Sequence, residues 1–143
     1  MADSYNSSEA SHRALRTIQQ ALERHPIVTA VQGFPDGNFT EIRTDLAVER
    51  WGIERGRATL TVHWFAGETP DACPEFEFHY SDGETDFGWQ HHHEQGHVDG
   101  RGHFQERTSD AGYTYEPHTF RAQNPAQLSW EIMSLLSSRM SSE

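Results

Sequence analysis

Glu75-Phe76-Glu77-Phe78-His79-Tyr80-Ser81-Asp82-Gly83-Glu84 is the stretch that decides the fold. Its aromatic residues fall at every second position, which places Phe76, Phe78 and Tyr80 on one side of a strand and Glu75, Glu77 and His79 on the other. Asp82-Gly83 then tolerates the positive φ of a tight turn, so the chain is expected to return through Thr85 to Gln90. Upstream, Leu60, Val62 and Trp64 alternate with Thr59, Thr61 and His63 in the same way. Residues 58–90 are therefore predicted to form an antiparallel meander with one apolar face, and that face must be covered.

Two segments supply the cover. Asn6-Ser7-Ser8-Glu9 has the spacing of a capping box, and Leu15, Ile18 and Leu22 recur at helical intervals until His25-Pro26 ends the pattern. Asn124-Pro125-Ala126-Gln127 is a second capping box with proline at the first helical position, followed by Leu128, Ile132, Leu135 and Met140. Between the first helix and the meander, Ile27 to Val31 reads as a short β-rich segment, Pro35-Asp36-Gly37-Asn38 as a turn, and Phe39, Ile42 and the residues around them as a returning strand. Leu46 to Arg57 is ambiguous, with Trp51 anchoring a short helix or a strand end. Gly96, Gly100 and Gly102 loosen the following segment into a loop or an irregular strand, and Tyr113 to Phe120 offers one more strand. The expectation is an α+β fold: an antiparallel sheet of about five to six strands with an N-terminal and a C-terminal helix packed on it. Residues 1–6 read as a flexible tail and 7–140 as a single domain.

Composition narrows the setting. The formal net charge is −11, and all eleven basic residues are arginine. Dense carboxylates without lysine suit a cytoplasm of molar salt, where repulsion is screened over about 3 Å. An ordinary acidic cytosolic protein is the bland alternative. The negative balance opposes non-specific binding to nucleic acid or membrane at low salt, an objection that weakens at molar salt. Cys73 is the lone cysteine, which leaves no intrachain disulfide and no cysteine-based zinc motif. No apolar run is long enough to span a bilayer and Met1 to Ser8 is unlike a signal peptide, so the expected location is the cytoplasm.

Ten histidines are present, and five of them, His91, His92, His93, His97 and His103, lie within thirteen positions. Imidazole both takes and gives a proton near neutral pH, and its neutral form ligates zinc. In a proton-transfer reading, two of His91, His93, His97 and His103 act as base and acid, while Arg101, Arg107 or Arg121 stabilises developing negative charge; cleavage of RNA through the ribose 2′-hydroxyl needs only that set. No cofactor is then required. In a metal reading, His91 and His93 share a strand face and His97 arrives from the next turn, with Asp99 near, to hold zinc. A third arrangement brings His63, His79 and His92 together across the polar faces of adjacent strands, beside Glu77. Against all three, a polar hairpin collects solvated histidines harmlessly, and His12 and His25 belong to the first helix and its end. Trp64, Phe76, Phe78, Phe87 and Trp89 read as core and not as a base-stacking platform.

The order of features from the alternating strand Phe76-Glu77-Phe78-His79-Tyr80, through the Asp82-Gly83 hairpin and the histidine-rich return, to a tyrosine strand and a closing helix resembles the TumE family of toxins from toxin–antitoxin systems. The resemblance covers roughly residues 37–140. That family's return strand commonly carries an Asp-Asn step where this chain has Trp89-Gln90, and the helix over 7–25 is an addition to its plan. The resemblance implies a toxin neutralised by a helix-turn-helix antitoxin protein and acting on RNA or translation. A non-catalytic interaction protein, with an acidic surface and an exposed histidine loop serving a partner, is the alternative from another class.

Overall fold

A computed structural model describes residues 5–34, 41–52, 56–70, 74–91, 102–108, 112–122 and 124–141. Among the described residues the architecture is α+β: seven antiparallel strands in one sheet, ordered as they occur along the chain, with one helix before the sheet and one after it. The helices are α1 (Ser7–Glu23) and α2 (Pro125–Ser141); the strands are β1 (Val28–Phe34), β2 (Glu41–Leu46), β3 (Ala58–Phe65), β4 (Glu75–Ser81), β5 (Asp86–His91), β6 (Gly102–Thr108) and β7 (Gly112–Pro117). Within the ambiguous segment after β2, the described residues include a 3₁₀ turn, Val48–Trp51, ended by Gly52 in the left-handed region.

Local chemistry accounts for these boundaries. Asn6 caps α1 by accepting the Glu9 N–H at 3.0 Å, and Asn124 caps α2 by accepting the Gln127 N–H at 2.8 Å. At the β4–β5 turn Gly83 adopts φ +90°, and Asp82 ties the turn together: its Oδ1 accepts the N–H groups of Glu84 and Thr85 at 2.9 and 2.8 Å, while Oδ2 accepts the Tyr80 hydroxyl at 2.7 Å. Burial alone would raise that carboxyl; the hydrogen bonds from Tyr80, Thr85 and Glu84 outweigh it and hold Asp82 below the usual carboxylate value.

The sheet has more strands than the glycine pattern suggested, because Gly102 opens a strand and does not loosen one. A Cβ at Gly102 would lie 2.5 Å from the His118 carbonyl oxygen and 2.6 Å from the Phe120 ring, so glycine is required by close approach. Downstream, β7 stops at Pro117, and residues 118–120 continue without strand structure.

Both helices cover the aromatic side. Leu15, Ile18 and Leu22 of α1 and Leu128, Ile132, Met133 and Leu136 of α2 pack with Leu60, Val62, Phe78, Tyr80 and Phe87 in one buried cluster. Trp64, Phe76, Phe78, Phe87 and Trp89 all lie in that core. Trp64 stacks on Phe76 at 5.1 Å, and Phe87, Trp89 and Phe104 meet at tilted or edge-on angles 5.3 to 5.8 Å apart. Among the described residues, no helix is long and apolar enough to cross a membrane.

Candidate functional site on the polar face

Strand register decides which polar residues meet. Glu77 pairs with His63 on one side and Gln90 on the other; His79 lies opposite Gly88, Gln90 opposite His103, and Gln105 opposite Tyr115. All of these belong to the face turned away from the helices. Gly88 has no side chain for a reason: a Cβ there would sit 3.0 Å from His79 Nδ1 and 2.5 Å from the Phe78 carbonyl oxygen. The His79 ring occupies that space.

His79 is the hub of a network spanning β4 to β7. Its Nε2 bonds to Asp86 Oδ1, and its Nδ1 is buried, 3.8 Å from Glu77 Oε2. Asp86 Oδ1 also accepts the Tyr113 hydroxyl at 3.1 Å, and Asp86 Oδ2 lies 3.9 Å from Arg107 Nη1. Glu77 Oε2 accepts the Gln90 side-chain amide at 3.0 Å. Burial, reinforced by the hydrogen bond to Asp86, pushes the Tyr113 phenol up, so it remains a proton donor at neutral pH. On the neighbouring strand pair, His63 Nε2 is 3.3 Å from Glu41 Oε1, and Arg43 reaches the same carboxylate at 3.7 Å.

The histidine-rich stretch is divided between the two sides of the sheet. His91 stands opposite Gly102 on the aromatic side, where its ring stacks on Phe76 at 5.5 Å and Nδ1 bonds to the Pro74 carbonyl at 2.7 Å. His103 is on the polar face, 1% exposed, with its ring edge-on to Tyr115 at 5.4 Å. The sheet therefore separates His91 from His103. His92, His93, His97, Asp99 and Arg101 lie outside the described residues. Arg107 joins the His79 network through Asp86, whereas Arg121 sits before α2, its main-chain N–H held by Glu131.

Other histidines have structural duties. His25 Nδ1 accepts the Ile27 N–H at 3.2 Å and its ring meets Trp130; His118 packs edge-on against Phe120 at 4.6 Å. Burial lowers the pKa of both, with Glu131 opposing the shift at His118. Among the described residues, no group of three histidine, cysteine or acidic side chains is placed to hold a metal ion.

The signals that identify Asp86, Gln90 and Tyr113 are weak in the sequence, because each lies at an unremarkable position in its strand. His79 and Glu77 are legible from the alternation of β4.

Exposed aromatic side chains complete the face. Phe65, Tyr113 and Tyr115 project from it at 40%, 38% and 37% exposure, interleaved with the partly exposed carboxylates of Glu41, Glu77 and Asp86. This arrangement offers apolar contact and hydrogen-bond acceptance over several strands. Compared with known proteins, the chain matches no family model, no curated protein and no solved structure.

Proposed function

We propose that the chain is an interaction protein that holds a cationic protein partner on the polar face of its sheet. The observation that carries this reading is the exposure of Phe65, Tyr113 and Tyr115 on the same face as Glu41, Glu77 and Asp86. Tyrosine is a favoured interface anchor, and an arginine side chain satisfies both a tyrosine ring and a carboxylate. The carboxylates disfavour a polyanionic occupant. His79 supports the surface from within: Nε2 is committed to Asp86 and so orients that carboxylate, while Nδ1 is buried without a hydrogen bond, 3.8 Å from Glu77. A helix-turn-helix antitoxin, the partner implied by the resemblance to the TumE family, is a DNA-binding protein and so of the cationic class.

Binding of a short arginine-rich peptide, measured calorimetrically at physiological ionic strength, tests this reading. Joint Glu41→Gln and Glu77→Gln substitution is expected to weaken binding about tenfold, while Glu9→Gln plus Glu23→Gln on α1 changes it less than about twofold. Equal loss from both pairs would remove the face as the site.

A second reading is RNA cleavage by a metal-independent toxin, favoured by one observation: His79, Asp86, Tyr113 and Arg107 bring a base, an acid and a cation into one network. Growth arrest on expression, abolished by His79→Ala or His103→Ala in protein that remains folded by circular dichroism, is the expected result of that reading. Arrest unchanged by both substitutions, or normal growth, counts against it.

A further inference from the structure

Trp89, Phe104 and Glu116 stand in one row across three strands, since the register sets Trp89 opposite Phe104 and Phe104 opposite Glu116. The row lies on the side of the sheet that carries the helices, so it begins in the aromatic core and ends on an exposed carboxylate of β7. Above it, Leu135, Ser138 and Arg139 share one face of α2, being three and four residues apart. With only serine at 138, an open cleft of about 380 Å³ is left between α2 and β7, and Pro117 and His118 form its end wall. That volume is within the range of sites that take small molecules.

The charge of the cleft follows from three side chains. Arg139 is committed: its Nη2 pairs with Glu106 Oε2 at 2.5 Å, and its guanidinium lies over the Phe104 ring, 4.5 Å from the centroid. Burial lowers the pKa of His118, which keeps that imidazole neutral at pH 7. The Glu116 side chain, among the described residues, takes part in no ion pair or hydrogen bond. An apolar floor therefore ends on one negative charge that nothing beside it offsets.

We infer that this cleft binds a small organic cation, an aromatic ring on a short amine arm, with the ring against Trp89, Phe104 and Leu135 and the ammonium on the Glu116 carboxylate. The ring removes apolar surface of the floor from water, and the ammonium supplies the donor that Glu116 lacks. An anion of the same shape meets the Glu116 charge and finds Arg139 already paired. The cleft is on the opposite side of the sheet from Glu77, His79 and Tyr113, so it is separate from the face proposed to hold a protein partner.

The isotopically labelled full chain is titrated at physiological ionic strength with tryptamine, with 3-(indol-3-yl)propionate and with n-butylamine, following the Trp89 indole N–H and the Glu116 amide by NMR. Tryptamine is expected to give saturable shifts at both, and to bind at least about tenfold more tightly than the carboxylate or the ring-free amine. Glu116→Gln is expected to weaken tryptamine binding about tenfold, while Glu23→Gln on α1 changes it less than about twofold, which separates a local contact from attraction to the acidic chain as a whole. Ser138→Phe fills the cleft from an exposed helix position and is expected to abolish binding with an unchanged circular dichroism spectrum. Shifts that do not saturate, equal affinity for the carboxylate or for butylamine, or a Glu116→Gln effect no larger than that of Glu23→Gln would each overturn the inference.

Discussion

On one side of β4, Phe76, Phe78 and Tyr80 are fixed chiefly by close packing under two helices; on the other, Glu77 and His79 are fixed by hydrogen bonds to β5, which Asp86 extends to β7. The aromatic side tolerates no loss of volume, because interiors are packed to crystal density. The polar side depends instead on direction: a carboxylate of β5 holds an imidazole of β4 and a phenol of β7. The lesson is that the alternation of one strand encodes two kinds of order. Packing gives stability, and the directed network gives a shaped, partly exposed surface on which a partner can be held.

The largest expected effect breaks the packed side. Phe78 is fully buried, and Phe78→Ala is expected to cost about 3–5 kcal/mol in urea unfolding, whatever happens to binding. Asp82→Asn follows, at about 1.5–3 kcal/mol, because a buried carboxylate accepting four hydrogen-bond donors from Tyr80, Glu84 and Thr85 loses its charge. Gly88→Ala attacks the junction between the two sides. Its Cβ meets the Phe78 carbonyl and the His79 ring, and about 1–3 kcal/mol is expected, with displacement of His79 visible in its ring proton resonances. The smallest effect sharpens the contrast: Glu75→Gln on the polar side is expected to change stability by less than about 0.5 kcal/mol.

Acid separates the contributions further. Asp82, His25 and His118 all have pKa values lowered in the folded chain. A lowered value means fewer protons bound when folded than when unfolded, so each contribution is present above the unfolded pKa and lost as pH falls through the folded one. Unfolding free energy is therefore expected to decline first below the ordinary histidine value of 6.5 and again below the ordinary carboxylate value of 3.8. Asp82→Asn should flatten the second decline and leave the first, as measured by urea titration at a series of pH values.

Much of this was legible in the sequence, and the exceptions have physical causes. The caps at Asn6 and Asn124, the β4 alternation and the Asp82-Gly83 turn are local signals, and the structure forms each as a local element. β6 was hidden because its pattern is not binary: His103, Phe104 and Gln105 are all buried, so neither face reads as solvent, and Gly102 resembles a loop breaker while serving a close contact with Phe120. That gap misplaces the histidines. With β6 read as loose, His91 and His103 appear neighbours, but the ladder between β5 and β6 sets them on opposite sides of the sheet. The polar network was half legible, since His79 beside Glu77 follows from alternation, whereas Asp86 and Tyr113 reach His79 only through pairing of strands distant in sequence.

Amide chemical-shift mapping of the isotopically labelled chain with an arginine-rich peptide at physiological ionic strength tests the central claim most directly. Perturbations centred on Glu41, Phe65, Glu77, Asp86 and Tyr113, and lost on joint Glu41→Gln and Glu77→Gln substitution, are the predicted result. Perturbations confined to the helix surfaces around Glu9 and Glu23 would contradict it.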